Sequence, residues 1–398
     1  MDTKLWTGPV DRSLERHITD RSDLIALLNH AIRQDVSDVI FQAGRPVLAS
    51  IHGALVALTE YVLQKVQIER VLQWMTGQDS VVARLLAGRD VDHAFNIPDH
   101  TERDAFGHPV QHRFRLNATA GYYEGDIGYQ AVLRYIPSKP PTPEEVGLPP
   151  ELMEHIAPHQ GAVIIAGETG SGKTTTYAAC IRHILEGNTT IVGNVLTYEA
   201  PIEFLFGDIP SSCCTIQQQE IPGHLPSFAD GIRNSLRRKP GLIVVGELRD
   251  ADTILAAVEA ANTGHPIYAT THANSASLII RRLSMKFPAD QQDQAVVDLL
   301  ETTRLVISQL LVPKVGGGRL CLREWFLLND DVVQHVIVGG LQNNARAIRE
   351  LIDRGEAGRS MAAAVAAALD DGEITTATAR VVLKRYGYSS AALLREVG

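Results

Sequence analysis

Gly167-Glu168-Thr169-Gly170-Ser171-Gly172-Lys173-Thr174, followed by Thr175, fits the pattern G-x-x-x-x-G-K-[ST] without a gap. The chemistry served by such a run is the grip on a triphosphate. Its glycines let the backbone curl until successive N–H groups point inward, and a helix beginning at Lys173 adds partial positive charge. Lys173 would reach the β- and γ-phosphates, and the Thr174 hydroxyl would ligate Mg2+. A nucleoside triphosphate and Mg2+ are therefore the expected ligands, with residues 167–175 as the binding loop.

Cleaving a triphosphate also needs carboxylates. Leu242-Ile-Val-Val-Gly-Glu247 is an apolar strand ending in one. Gly246 occupies the usual aspartate position, so Glu247 must organise Mg2+ and its water, or orient the attacking water. Tyr198-Glu199-Ala200-Pro201-Ile202-Glu203 follows the apolar run Ile191–Leu196. Ligands of a parallel sheet gather beyond the carboxyl ends of its strands. That places Glu199 to polarise the water, with Glu203 in a structural role. Thr270-Thr271-His272-Ala273-Asn274 closes a further strand. His272 there could sense the γ-phosphate, although by spacing alone it also reads as an ordinary hydrogen-bonded loop residue. His265, after Gly264, is a weaker candidate.

These residues need a parallel sheet to hold them. Apolar runs at Ala162–Ala166, Ile191–Leu196, Leu242–Val245 and Ile267–Thr271 alternate with helix patterns from Lys173, over Phe228–Arg238 and over Ala251–Asn262. Such βα units specify a mostly parallel α/β sheet. Asp250 can N-cap the helix over Ala251–Asn262, and Gly264 lies just past its end. Gly316-Gly317-Gly318 predicts a hairpin turn, and the chain from about residue 342 to 398 is helical and Ala-rich.

Before residue 136 the signals are mixed. Leu24, Leu27, Leu28, Ala31 and Ile32 form one helix stripe, and Val36–Phe41 reads as a strand. Val47–Val56 reads as strand broken at Gly53. In His112–Ala118 apolar and polar residues alternate, which puts Arg113 and Arg115 together on the exposed, non-core face of a strand. Ile127, Tyr129, Ala131, Leu133 and Tyr135 alternate likewise, with Arg134 facing the other way. Residues 136–150 hold six of the 19 prolines and predict a semi-rigid extended connector. The expected organisation is an N-terminal domain over 1–135, the connector over 136–150, and an ATPase domain over 151–398.

Composition narrows the rest. The chain has 398 residues, 45% hydrophobic, with a net charge of −9. Arg237-Arg238-Lys239 and Arg281-Arg282 are only short basic runs, and Trp6, Trp74 and Trp325 are scattered, so no nucleic-acid binding is expected. Four cysteines are too few for a disulfide framework, and Cys180 is expected to pack as a small hydrophobe. No apolar signal core and no run of ~18 apolar residues is present. A cytosolic enzyme is the expectation.

Taken together, these residues resemble the PilT-like secretion ATPase superfamily, which includes the type II and type IV secretion traffic ATPases. The resemblance covers roughly residues 35–355. It rests on Ser37-Asp38-Val39 with Ile51-His52-Gly53, Arg113-Phe-Arg115-Leu-Asn117, the phosphate loop, and Glu199–Glu203, similar to the family's acidic box. It also rests on Gly246-Glu247-Leu-Arg249-Asp250, on Thr263-Gly-His265 through His272-Ala-Asn274-Ser275, similar to its histidine box, and on Ala347-Ile-Arg349-Glu350. Tyr198–Glu203, Glu220–Pro226 and Ile232–Pro240 are similar to the DotB-like branch of type IVB secretion and its TraJ-like conjugative-plasmid relatives. Ala200 stands where much of the superfamily has aspartate, and Lys239 where an acidic residue is common; both are read as branch features.

The resemblance implies an α/β, RecA-like P-loop NTPase domain behind an N-terminal PAS-like α+β domain, assembled as a homohexamer with ATP as its nucleotide. It implies that Arg113, Arg115 and Arg134 stabilise phosphate charge and that His272 takes the histidine-box role. The implied partner is an inner-membrane secretion or conjugation complex, docked peripherally from the cytoplasm, with a secretion substrate or a coupling ATPase as further partners. The alternatives are a pilus retraction motor, a RecA-like nucleic-acid translocase, whose turnover DNA would stimulate, and a nucleotide-gated assembly protein without significant turnover.

Overall fold

The computed structural model describes residues 6–11, 17–51, 54–103, 107–136 and 139–388; His52, Gly53 and residues 137 and 138 of the connector lie outside them. Two units are distinguished by their internal contacts: Met1–Lys139 with Glu203–Asp208, and Pro140–Ile202 with Ile209–Gly398.

The first unit begins with α1 (Arg21–Ile32), whose N-terminus is closed by the Asp20 side chain accepting from the N–H groups of Ser22 and Asp23. The stripe read from the sequence faces inward: Leu24, Leu27, Leu28 and Ala31 are buried. There follow β1 (Val36–Gln42), β2 (Leu48–Ile51), β3 (Ala54–Ala57), α2 (Lys65–Thr76), α3 (Val81–Leu86), β4 (Val91–Arg103), β5 (Pro109–Tyr123) and β6 (Asp126–Ile136). The six strands form one antiparallel sheet in the order β3-β2-β1-β6-β5-β4. Phe114, Leu116 and Leu133 from its apolar face pack with Ile68, Val71 and Leu72 of α2. β4 was not evident from alternation; it is an edge strand and carries Pro98, whose missing N–H an edge tolerates.

The second unit contains α4 (Pro150–Met153), β7 (Gly161–Ala166), α5 (Lys173–Leu185), β8 (Gly193–Glu199), β9 (Cys214–Glu220), α6 (Phe228–Ser235) and β10 (Pro240–Val245). It continues with α7 (Ala251–Asn262), β11 (Pro266–Thr271), α8 (Ile279–Ser284), α9 (Gln292–Thr302), β12 (Thr303–Pro313) and β13 (Arg319–Leu327). It ends with α10 (Asp330–Val338), α11 (Asn344–Asp353), β14 (Gly358–Arg359), α12 (Met361–Asp370) and α13 (Thr376–Arg385). The sheet order is β14-β13-β12-β7-β11-β10-β8-β9. Strands β12 through β9 are mutually parallel, and β13 and β14 add antiparallel pairs at one edge. The Gly316–Gly318 turn joins β12 to β13 as expected. β7, β10 and β11 are buried along nearly their whole length, as strands covered on both faces must be. Asp250 caps α7 by accepting from the Thr253 N–H, and Gly264 follows with φ +92°.

Within the stretch expected to be an extended connector, residues 143–147 form a turn. Thr142 and Glu145 cap each other's backbone, and the Arg323 guanidinium donates to the carbonyls of Val146 at 2.8 Å and Gly147 at 2.7 Å. Proline fixes φ without forbidding turns; the buried arginine supplies the donors that bend this stretch. Among the described residues no helix is long and apolar enough to cross a membrane.

Candidate active site

Parallel strands bring their carboxyl ends to one edge. The register sets Val245 of β10 beside Tyr198 of β8 and Ala269 of β11, and Thr271 of β11 beside Ala166 of β7. The residues leaving these ends are Gly167, Glu199, Glu247 and His272, so four segments singled out by sequence share one edge of the sheet.

The loop after β7 is closed by geometry only glycine allows. Gly167 has φ +155°, and a Cβ there would lie 2.3 Å from Ser171 Oγ and 2.7 Å from the Gln309 carbonyl. Gln309 of β12 also donates through its side-chain amide to the Ser171 carbonyl at 2.7 Å. Lys173 Nζ donates to the carbonyls of Gly167 at 2.8 Å and Glu168 at 3.0 Å, which holds the cation across the loop mouth. Thr174 and Thr175 occupy the first turn of α5. A cavity of about 640 Å3 opens beside this turn, lined by Gly172 and Thr175, by Leu311 and Cys321 of the β12–β13 pair, and by Arg323 and Glu373. Its volume suits a nucleoside-sized ligand.

Glu247 is 23% exposed along its side chain and is held between two bases. Its Oε2 accepts from Arg249 Nε at 2.7 Å, and its Oε1 lies 3.4 Å from His272 Nε2. Leu248 N donates to the Thr270 carbonyl at 2.9 Å and the Thr270 hydroxyl donates to the Gly246 carbonyl, so the two strand ends carrying this pair are tied together. Space at position 246 is tight: a Cβ would stand 3.1 Å from the Tyr198 carbonyl and 3.3 Å from Glu199 Cα, so the neighbouring backbone would have to give by a few tenths of an ångström. An aspartate in the usual place would crowd β8, and the acid stands one residue on. Gly246→Asp should therefore destabilise the fold by about 2–4 kcal/mol through overpacking and an enclosed carboxylate. Urea denaturation monitored by circular dichroism checks this, and an unchanged midpoint would show that the strand end has room.

Glu199 does not project from the edge. It is 1% exposed. Its Oε2 accepts from the Tyr177 hydroxyl of α5 at 3.0 Å, and its Oε1 from Thr197 Oγ1 at 2.6 Å and Gln218 Nε2 at 3.1 Å. The carboxylate thus links the phosphate-loop helix to β8 and β9. Glu203 falls with the first unit. His265 Nδ1 lies 3.2 Å from Thr263 Oγ1. Cys180 of α5 is buried and its thiol is pushed up to about 12 by desolvation, which leaves it a packing residue.

The three arginines lie in the first unit, and the exposed face expected for Arg113 needs correction. Arg113 is buried, at 6% exposure. Alternation assigns the side of a strand but says nothing of what covers that side. Arg115 and Arg134 are direct cross-strand partners, and Arg113 pairs with Ile136, so all three share one face of the sheet. Arg115 makes a two-pronged contact with Asp92 at 3.1 and 2.7 Å, and Arg134 Nε contacts Asp38 at 2.9 Å. Sequence reasoning missed Gln309, Arg323 and Arg249 as neighbours of the site. Only Arg249, two residues after Glu247, had a local signal.

The family profile described as type II/IV secretion system protein matches residues 127–380. The chain is 33% identical over 303 residues to the type IV pilus retraction ATPase PilT of Pseudomonas aeruginosa, covering 76% of this chain and 81% of that protein. Among solved structures, the Legionella pneumophila ATPase DotB superposes with a TM-score of 0.82 at 36% identity, covering 95% of this chain and all of that one. The Yersinia pseudotuberculosis ATPase DotB gives 0.84 at 32% identity, over 95% of this chain and 98% of its own. A structure of the pilus retraction motor PilT with bound ADP gives 0.75 at 29% identity, over 90% and 96%. With a phosphate loop, two acids and a histidine on one sheet edge, and with these likenesses along nearly its whole length, the chain belongs to the type II/IV secretion system protein family, the PilT-like secretion ATPases, and is an ATPase.

Proposed function

We propose that this chain is the ring-forming motor of a type IVB secretion or conjugative transfer system, hydrolysing ATP to ADP and phosphate. The supporting observation is that the loop ending in Lys173 and the Glu247–His272 pair follow neighbouring parallel strands at the same end of the sheet, in a chain 36% identical to a DotB. In this reading the second unit is RecA-like, the first is PAS-like, the boundary lies near residues 136–150, and six copies form a ring docked peripherally at the cytoplasmic face of the inner membrane. The ring acts on a secretion substrate or through a coupling ATPase. Likeness to PilT over 303 residues favours pilus retraction as the second reading.

The mechanism follows from the side chains. The N–H groups of residues 167–175 and Lys173 bind and orient the triphosphate, whose oxygens replace the Gly167 and Glu168 carbonyls as acceptors for Lys173. Thr174 and Glu247 are hard oxygen donors and would hold Mg2+. Among the described residues no group of three or more His, Cys, Asp or Glu could cage a metal, so phosphate oxygens and water would complete the shell, as Mg2+ prefers. The ion supplies neutralisation of phosphate charge. Glu247 orients the attacking water, and His272, 3.4 Å away, reads the change in charge when the γ-phosphate leaves. Glu199, enclosed by three donors, positions α5 rather than meeting water. In the same reading Arg113, Arg115 and Arg134 stabilise phosphate charge.

Purified protein imaged with a slowly hydrolysed ATP analogue should give six-fold particles, and its phosphate release should be indifferent to single-stranded DNA. Monomers at micromolar concentration, or turnover strongly stimulated by DNA, would contradict the ring-motor reading. Complementation separates the two motor readings, since restored secretion in a strain lacking its type IVB ATPase supports the first and restored twitching in a strain lacking its retraction ATPase supports the second.

A further inference from the structure

Glu168 is the first variable residue of the phosphate loop, and its carboxylate is ion-paired with Arg385, the last residue of α13. The same residue's carbonyl accepts from Lys173 Nζ at 3.0 Å and from Ser171 N at 3.2 Å. One residue therefore joins the cation of the loop to a helix more than 200 positions away in sequence.

That helix is firmly held. Val382, Leu383 and Tyr386 pack with Val312 and Leu322 of the β12–β13 pair and with Val365 of α12. The turn before α13 is pinned by Lys314 Nζ to Glu373 Oε1 at 2.8 Å and by the Val315 N–H to the Glu373 carbonyl at 2.8 Å. The guanidinium is thus presented to the loop from a packed scaffold. Its contact with Glu168 keeps that carboxyl below its ordinary range. A carboxylate on a loop that must receive several negative phosphate charges opposes binding unless a cation offsets it.

We propose that Arg385 is a positioning residue for nucleotide binding, which neutralises the Glu168 carboxylate and so lets the loop accept a triphosphate. The proposal rests on the nucleotide reading of residues 167–175. It makes the C-terminal helices a part of the ATP site of their own protomer. Glu168 becomes a liability in any chain that lacks the arginine.

The test is calorimetric titration with MgATP of the unaltered chain, Arg385→Ala, Glu168→Gln and the double variant. Arg385→Ala should raise Kd about tenfold at low salt, and the loss should shrink in 0.5 M salt because the pair is solvent-reached. In the Glu168→Gln background the same change should alter Kd by less than about twofold, because no charge remains to neutralise. Arg385→Lys should keep most of the affinity. Arg385→Gln runs alongside, so that a charge deletion of similar length is available if alanine lowers the melting temperature. Equal losses in both backgrounds would make Arg385 merely structural and overturn the proposal, as would no loss in either. If the unaltered chain takes up no MgATP, the nucleotide reading falls and this proposal with it; if it binds and Arg385→Ala binds equally well, only this proposal falls.

Discussion

Lys173→Ala should lower MgATP turnover by at least about 10²–10³-fold while leaving the fold in place. The residue opens α5 immediately after Gly172, whose φ of +83° ends the loop, and alanine suits a helix start at least as well as lysine. The substitution removes the ammonium that lies 2.8–3.0 Å from the Gly167 and Glu168 carbonyls, across the loop mouth. Inside a loop of converging N–H groups, that charge stabilises negative charge developing on the phosphates. Phosphate release and a circular dichroism melt on the same preparation check the effect. A correctly folded variant that retains more than a tenth of the turnover would remove Lys173 from the chemistry.

Glu247→Gln should separate binding from hydrolysis. Glutamine keeps an oxygen that can accept from Arg249 Nε, now at 2.7 Å, so the strand end should hold its shape. What is lost is the charge that orients the attacking water and helps hold the metal. Turnover should fall by about 10²–10³-fold, with the Kd for ATP changed by no more than about threefold. Rapid-quench single-turnover kinetics beside equilibrium binding distinguish the two quantities. Turnover equal to that of the unaltered chain would leave Glu199 or another group as the water-orienting acid.

The parts of the site legible in sequence were those carried by short local patterns. Strand, glycine-rich turn and helix are contiguous at residues 161–185, and the pattern of apolar residues names both the strand and the buried face of the helix. Glu247 and His272 were legible because a buried strand runs straight into each. The sequence puts Glu199 at its strand end but does not show its direction, since Tyr177 and Gln218, which turn it inward, come from other elements. Gln309 reaches the loop across 138 positions and Arg323 reaches Gly147 across 176, and no window of sequence spans such distances. β9 escaped notice for a different reason. It is an edge strand of polar residues, CTIQQQE, in which neither face is fully buried, so hydrophobic alternation has nothing to record. The sequence also could not tell that Arg113 is covered, because burial of a strand's polar face depends on what folds over it.

Binding of MgATP by the unaltered chain and by Lys173→Ala, followed by isothermal titration at equal concentrations, bears on all of this at once. One site per chain is expected in the first and at least a tenfold weaker uptake in the second. Uptake that is absent from well-folded unaltered protein, or equally strong in both, would mean that the loop ending in Lys173 is not where a triphosphate is held.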